Sequence, residues 1–227
     1  MKTIFAATAL SAAMLGLAAG PAAADIIGGV DFPQGAISFA DEVISYAPGL
    51  EGNSPTTPNQ GAFNALGVPD YAGQVNCTVQ TDCPYVTLGV GGQLVLKFTD
   101  NVLTGSGDSA FDLWIFEVGP DVEDTTVDVS VDGLTWLSVG GVGGSTAGID
   151  IDAFGFGTGS AFRYVRLTDV ASEGGTGGTT PGADIDAVGA ISTRPASTVP
   201  EPGAWALMIL GFGGAGAALR RRRPALA

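Results

Sequence analysis

Residues 127–136 read V-D-V-S-V-D-G-L-T-W. The three valines occupy every second position and alternate with Asp128, Ser130 and Asp132, which is the period-two pattern of a strand with one buried face. Asp132-Gly133 is a common turn pair, so we expect the strand to enter a hairpin there. This predicted hairpin favours an all-β fold.

Short apolar alternations of the same kind recur along the chain and are separated by glycine, which makes up 36 of the 227 residues. No window outside the termini has a helical period. We predict strands at Ala36–Phe39, Val43–Tyr46, Tyr85–Leu88, Gln93–Phe98, Asp112–Val118, Thr126–Val131, Thr135–Val139, Arg163–Thr168 and Asp186–Ile191. Residues 48–84 and 171–182 are predicted loops, the second one mobile. The prediction is an antiparallel β-sandwich over residues 25–196.

The charge of this body is strongly negative. It holds 22 acidic residues and four basic ones, Lys97, Arg163, Arg166 and Arg194, so its net charge is 4 − 22 = −18. Such a surface repels nucleic acid and anionic lipid, and it attracts divalent cations. The chain has no histidine, which removes the usual general base and the commonest zinc ligand.

The two cysteines, Cys77 and Cys83, lie in a polar part of the first long loop. In an exported protein this spacing predicts a disulfide that closes a small loop. A catalytic thiol would need a basic neighbour that lowers its pKa, and the nearby sequence has none.

Residues 1–24 have the pattern of a secretory signal peptide. Lys2 is followed by an apolar stretch and by Ala22-Ala23-Ala24 directly before Asp25, which predicts export and cleavage. The alternative is a first transmembrane helix.

Residues 197–227 combine three features. The acidic hinge Pro200-Glu201-Pro202 precedes an apolar run at 204–219 that contains Trp205, and four arginines follow, Arg220, Arg221, Arg222 and Arg223. A helix over the sixteen apolar residues would be about 24 Å long, somewhat shorter than a bilayer core of about 30 Å. The arginines would remain cytoplasmic. The pattern predicts a membrane helix, transient or, alternatively, a permanent anchor.

The order P-E-P, Trp205, M-I, G-F-G and the arginine cluster resembles the PEP-CTERM sorting signal of Gram-negative bacteria. The resemblance implies that an exosortase recognises this tail, with Pro200, Glu201 and Pro202 as recognition residues, and cleaves near the hinge. It further implies transient insertion in the inner membrane, delivery to the cell surface or extracellular matrix, and an association with exopolysaccharide.

The body is similar to discoidin and galactose-binding-like sandwiches, of jelly-roll type. The similarity rests on the 127–136 hairpin, on F-R-Y-V-R-L at 162–167 and on I-D-A-V-G-A-I at 185–191. The long disulfide loop and the glycine-rich insert depart from that pattern. The resemblance implies a structural calcium ion held by Asp70 and by Asp184 or Asp186; the alternative is that these acids are simply solvated.

Two other acidic patterns are present. Asp128-x-Ser130-x-Asp132-Gly133 imitates the start of an EF-hand, but position twelve is Val139 rather than a bidentate acid, so we reject a calcium loop there. The frame G-x-D-I-D-A-x-G occurs at 148–155 and again at 182–189. We interpret the two copies as similar strand entries rather than as a repeat.

Three classes of function remain. The first is a non-enzymatic surface or matrix protein that contacts exopolysaccharide or neighbouring proteins. The second is a calcium-stabilised carbohydrate-binding module, with an exposed cluster of aromatic and arginine side chains. Trp114 and Trp136 are candidates for stacking on sugar, although strand tryptophans are usually core residues, and we expect Arg163 and Arg166 to pair with acids. The third is a polysaccharide hydrolase or lyase, for which Asp112 and Glu117 lack identifiable partners.

Overall fold

A computed structural model of the chain describes residues 25–49, 54–73, 77–118, 123–173, 175, 177–196 and 212. Thirteen strands form within these ranges, and all of their pairings are antiparallel. They are β1 Asp25–Ile27, β2 Val30–Phe32, β3 Glu42–Ala47, β4 Val86–Thr87, β5 Gln93–Lys97, β6 Asn101–Leu103, β7 Leu113–Glu117, β8 Asp124–Ser130, β9 Leu137–Gly143, β10 Thr146–Ile149, β11 Tyr164–Asp169, β12 Asp184–Ala190 and β13 Thr193–Pro195.

Two sheets face each other across one apolar core. One has the order β10-β7-β12-β4 and the other β3-β5-β11-β8-β9. Both sheets contribute to the same cluster of buried side chains, with Ile115 and Ile185 from the first and Leu94, Val129 and Leu167 from the second. Because the inward residues alternate with outward ones along these strands, the architecture is the predicted antiparallel β-sandwich.

A smaller layer covers the outer face of the four-stranded sheet. The hairpin β1-β2 and a 3-10 helix at Gly35–Ser38 bring Phe32 and Phe39 onto Phe116 and Ala187. The rings of Phe32 and Phe39 lie 4.6 Å apart between centroids. The predicted strand at Ala36–Phe39 is therefore wrong: this short apolar run is a helical turn that delivers Phe39 to the second core.

Eight of the nine predicted strands are present, with ends shifted by a few residues. The hairpin of β8 and β9 is confirmed, but Val131 does not share the buried face of Val127 and Val129, since it is exposed. The strand ends at Ser130 because the Asp132 carboxylate accepts hydrogen bonds from the backbone N–H groups of Leu134 and Thr135, which closes the turn early. The strands β1, β2, β6, β10 and β13 were not predicted.

The long segment 48–84 contains three 3-10 helices, Thr57–Gln60, Ala62–Ala65 and Gln80–Asp82. Ala65 joins the main core, and buried Asn59 donates from Nδ2 to the carbonyl of Thr179 at 3.0 Å. Cys77 and Cys83 form a disulfide with a Cα–Cα distance of 5.0 Å, as predicted. This predicted loop is thus tied to the body.

The signal peptide at 1–24 and nearly all of the predicted sorting segment at 197–227 lie outside the described residues. The same holds for Pro200, Glu201, Pro202, Trp205 and Arg220–Arg223. Within the described ranges, no helix has the length and hydropathy that a membrane crossing requires.

Candidate functional site

Asp112 lies directly before strand β7 and is completely buried. Its backbone makes two hydrogen bonds. The N–H donates to the Ile149 carbonyl, and the carbonyl accepts from the Ile191 N–H at 2.7 Å. The side-chain Oδ2 accepts a hydrogen bond from the Ile151 N–H at 3.0 Å, whereas Oδ1 has no hydrogen-bond partner among the described residues. Burial raises the pKa of this carboxyl, although nearby hydroxyl groups, Ser192 first, oppose the rise.

Strand pairing brings a second carboxylate to Asp112. In the β10–β7 ladder Ile149 lies opposite Leu113, so the next residue on each strand, Asp150 and Asp112, meets at the same end of the sheet. Asp152 follows in a 3-10 helix, Asp152–Phe154, and its Oδ2 accepts from the Gly107 N–H at 3.0 Å and from Ser106 Oγ at 3.3 Å.

Asp112, Asp150 and Asp152 form what we call the triple-aspartate cluster. One carboxylate oxygen from each residue lies within 4.8 Å of the other two. The 105–107 loop packs closely on one member of the cluster, since a Cβ atom on Gly105 would lie 2.5 Å from Asp152 Oδ2 and 2.2 Å from the Phe156 carbonyl oxygen. Three oxygen donors without nitrogen or sulfur suit a hard cation such as Ca²⁺.

A second group of buried acids lies at the other end of β7. Glu117 ends the strand and is 4% exposed, and its carboxylate oxygens make no hydrogen bond of good geometry among the described residues, although the Glu123 carboxyl lies beside them. Burial, followed by the negative charges of Glu123 and Asp184, raises the pKa of Glu117 to about 9. Glu123 is buried as well, and its Oε1 accepts from the Gly175 N–H at 2.9 Å.

The residues predicted to bind calcium near the last strand are only partly brought together. Both oxygens of the Asp186 carboxylate accept backbone hydrogen bonds, from Asp70 at 3.1 Å and from Tyr71 at 3.2 Å. Asp184 accepts from the Thr87 hydroxyl, and burial raises its pKa to about 8. A β-bulge interrupts the β12–β7 pairing between Ile185 and Ala187, which breaks the regular alternation assumed for Asp184 and Asp186. Calcium at these residues stays a prediction.

One cavity of about 400 Å³ is lined by Glu117, Asp186 and Tyr71, with Phe116 and Thr146. Burial raises the pKa of Asp186 to about 6. A raised-pKa acid beside a cavity is the arrangement that a glycosidase needs. However, both Glu117 oxygens are sealed from solvent, and both Asp186 oxygens are occupied by backbone N–H groups. Neither carboxylate is placed to touch a substrate.

Two of the four basic residues of the body are in ion pairs. Lys97 Nζ lies 2.6 Å from Glu42, and Arg166 contacts Asp128 through Nε and Nη2, at 3.0 and 2.8 Å. The prediction that Arg166 pairs with an acid is confirmed. For Arg163 no acid among the described residues forms such a pair, so that half stays a prediction.

Arg163 and Arg194 line the same cavity, of about 360 Å³, together with Val131 and Pro195. Pro195 also lines an adjacent cavity of about 420 Å³, which Ile37 and Asp100 border. Val131 and Ile37 are exposed apolar side chains. We call this pair of neighbouring cavities the arginine groove.

The two tryptophans of the body both pack against other side chains of the fold. Trp114 packs edge-on against Phe111 at 5.4 Å, and it borders the second core. The Arg166 guanidinium lies over the Trp136 ring, with its Cζ atom 4.5 Å from the ring centroid. Neither ring lies in the arginine groove.

Sequence reasoning missed the triple-aspartate cluster, although it noted all three residues separately. Asp150 and Asp152 belong to the first G-x-D-I-D-A-x-G frame. That frame is not a strand entry as we interpreted it: β10 ends at Ile149, and the frame continues into the 3-10 helix. In both copies the central isoleucine, Ile151 or Ile185, is fully buried. The acids of the first copy cluster with Asp112 just before β7, and the charge of Asp184 in the second copy acts on Glu117 at the end of β7. The repeated D-I-D was the signal available.

Residues 198–223 match the PEP-CTERM protein-sorting motif. This confirms the sorting signal predicted at the C-terminal end and implies an exported, surface-sorted protein with an exosortase partner. No curated protein matches the chain in sequence.

Solved structures similar to the chain include two bacterial proteins. One is CpGH89CBM32-6 produced by Clostridium perfringens, at 9% identity and a TM-score of 0.31, covering 49% of this chain and 75% of that one. The other is the C-terminal domain of a chitobiase from Bacteroides fragilis, at 13% identity and a TM-score of 0.36, covering 71% of this chain and 95% of that one.

Proposed function

We propose that the protein is an exported, non-enzymatic surface or matrix protein of a Gram-negative bacterium, delivered by an exosortase and associated with exopolysaccharide. The observation that carries this proposal is the sorting motif at 198–223. The hinge Pro200-Glu201-Pro202 and Trp205 would be read by the exosortase, with the arginine cluster on the cytoplasmic side of a transiently inserted segment. Signal peptidase would remove residues 1–24.

The accessible chemistry of the body supports a non-enzymatic role. The buried acids with strongly raised pKa values, Glu117 and Asp184, are shielded or held by hydrogen bonds. The chain has no histidine and the described cysteines are joined in a disulfide. General acid–base or nucleophilic catalysis would need at least one such group exposed in a cavity.

The sorting step is tested in the host with and without its exosortase. We expect mass spectrometry of the C-terminus to find a chain cleaved near the hinge in the parent strain, and an intact tail held in the membrane fraction in the exosortase-deficient strain. The variant Glu201→Ala should reproduce the second result. Leu226→Ala, outside the matched residues, should be processed normally. The same C-terminus and the same cell fraction in both strains would reject exosortase sorting.

The arginine groove favours a second, narrower function, that of a carbohydrate-binding module. Two guanidinium groups without an acidic partner among the described residues can donate hydrogen bonds to sugar hydroxyls, while Val131, Pro195 and Ile37 offer apolar contact to a ring face. A body with a net charge of −18 disfavours a polyanionic glycan. The expected ligand is therefore a neutral stretch of exopolysaccharide.

Binding is measured by calorimetry and on a glycan array with the host's own exopolysaccharide. Arg163→Ala and Arg194→Ala should each weaken binding at least about tenfold, which corresponds to the loss of one charge-assisted contact. Lys97→Ala removes one positive charge from an exposed pair outside the groove and is the matched control. A silent array, or equal weakening in all three variants, would rule out the groove as a glycan site without affecting the sorting proposal.

A further inference from the structure

Within the described ranges, no basic side chain pairs with the triple-aspartate cluster. The body contains four basic residues: Lys97 and Arg166 are paired with other acids, and Arg163 and Arg194 line the arginine groove. Three carboxylate oxygens within 4.8 Å of one another therefore face each other without a basic partner in the described part of the chain. Like charges at this separation repel strongly when water is excluded.

The buried member of the cluster cannot turn away from the other two. Asp112 is completely buried, its main chain is held by Ile149 and Ile191, and Ile151 fixes its Oδ2. Its Oδ1 makes no hydrogen bond of good geometry among the described residues, although the Ser106 and Ser192 hydroxyls lie close to the carboxylate. A buried acceptor without a well-formed hydrogen bond costs free energy, and a bound cation would satisfy it.

From this geometry we infer that Asp112, Asp150 and Asp152 bind one Ca²⁺ ion that closes this end of the sandwich. The donors are all oxygen, the chain has no histidine, and its described cysteines are in a disulfide, so zinc, copper and iron lack their preferred ligands. Calcium accepts six to eight oxygens in irregular geometry, whereas Mg²⁺ requires a near-ideal octahedron. Asp150 and Asp152 are half-buried, which leaves room for water to complete the shell.

The ion would connect three segments that are distant in sequence. Asp112 directly precedes β7, Asp150 follows β10, and Asp152 already holds the 105–107 loop through Ser106 and Gly107. Extracellular calcium modules bind with dissociation constants of about 10⁻⁴–10⁻³ M. A site in this range is filled outside the cell and empty in the cytosol, so calcium would complete the fold only after export.

The test uses full-length protein, stripped with EDTA and then titrated with CaCl₂ in calorimetry and thermal melting. We expect one calcium per chain and a melting temperature that rises by several degrees at saturating calcium. Asp150→Asn is the primary variant. Among the described residues the Asp150 side chain accepts one long hydrogen bond, from the Ala153 N–H at 3.3 Å, so this substitution should perturb the calcium-free fold least. It should weaken calcium binding at least tenfold.

A second variant separates calcium binding from a merely structural role. Asp112→Asn removes the uncompensated buried charge, so it should melt above wild type in EDTA and gain less than wild type when calcium is added. Asp31→Asn, an exposed acid in β2, makes the same change of charge elsewhere and should bind calcium like wild type. No calcium heat with wild type, or equal affinity in wild type and Asp150→Asn, would overturn the site. Loss of binding in Asp186→Asn alone would assign the ion to the last strand and overturn it as well.

Discussion

Asp112 and Glu117 bracket strand β7 and bury one carboxylate at each of its ends. Between them Leu113 and Ile115 face the main core, while Phe116 faces the second core. Both acids keep at least one side-chain oxygen without a hydrogen bond among the described residues. Strand β7, an inner strand of the four-stranded sheet, thus carries an electrostatic cost at each end. Among the acids that the structure describes, three carboxylates converge closely enough to share one ion at the Asp112 end alone.

The Glu117 end makes the stability of the body fall as pH rises. The pKa of Glu117 is about 9 in the folded state against an ordinary value of 4.5. Its stabilising contribution is therefore complete below pH 4.5, declines as the unfolded chain ionises, and is fully lost above pH 9. Melting in EDTA should drop by at least about 5 °C between pH 5.5 and pH 9.

Glu117→Gln should flatten that profile and raise the melting temperature at pH 8, because the amide cannot ionise. Some slope should remain, since the pKa of Asp184 is raised to about 8 and shifts stability in the same direction. Glu42→Gln, which alters an exposed acid paired with Lys97, is the control and should keep the wild-type slope. Identical slopes in the two variants would contradict this role of Glu117.

Arg166 links the two strands β8 and β11 through a geometry that lysine cannot reproduce. Its guanidinium contacts Asp128 with two nitrogens and lies 4.5 Å above the Trp136 ring. Arg166→Lys should cost about 1 kcal/mol, seen as a fall in melting temperature of about 2–4 °C. Lys97→Ala, in the exposed pair with Glu42, should change stability by less than about 0.5 kcal/mol. Equal effects of the two changes would refute the special role of the stacked arginine.

The central strands could be predicted because the alternation of apolar and polar residues in their sequences matches the alternation of core-facing and outward-facing side chains. Val127 and Val129 face the core and Asp128 the outer surface, as the pattern of residues 127–130 requires. The short strands β1, β6 and β13 could not, since three residues are too few to define a period and their pairing is set by distant partners. The A-I-S-F run at 36–39 was apolar for another reason, namely to place Phe39 on Phe32.

The triple-aspartate cluster could not be predicted from local sequence patterns alone. The acids at 150 and 152 were visible in a repeated frame, and Asp112 was visible beside β7. What joins them is the pairing of Ile149 with Leu113, a long-range register between β10 and β7 that no local pattern encodes.

The disulfide should stabilise the segment that precedes β4. Cys83 packs with Tyr85 and Val118, and the bond to Cys77 closes a loop with a sequence separation of 6. A loop of this size is worth about 2 kcal/mol in the chain-entropy account. Cys77→Ala with Cys83→Ala should therefore lower the melting temperature by about 4–8 °C. Dithiothreitol should do the same to wild type and leave the double variant unchanged; an effect on the double variant would mean that reduction acts elsewhere.

Gly92 is required where the chain before β5 crosses the start of the long loop. A Cβ atom there would lie 1.8 Å from the Leu88 carbonyl oxygen and 2.5 Å from the Gly49 backbone nitrogen, and these two atoms are joined by a hydrogen bond of 2.9 Å. Backbone atoms cannot move aside as a flexible side chain does, so Gly92→Ala should break that bond and cost at least about 3 kcal/mol. Gly159→Ala is the matched control, because a Cβ atom on Gly159 meets nothing within 4 Å and should change stability by less than about 1 kcal/mol. Chemical denaturation of the three proteins measures both differences. If Gly92→Ala unfolds at the same denaturant concentration as Gly159→Ala, the prediction is wrong, and the two segments can separate enough to accommodate a Cβ atom.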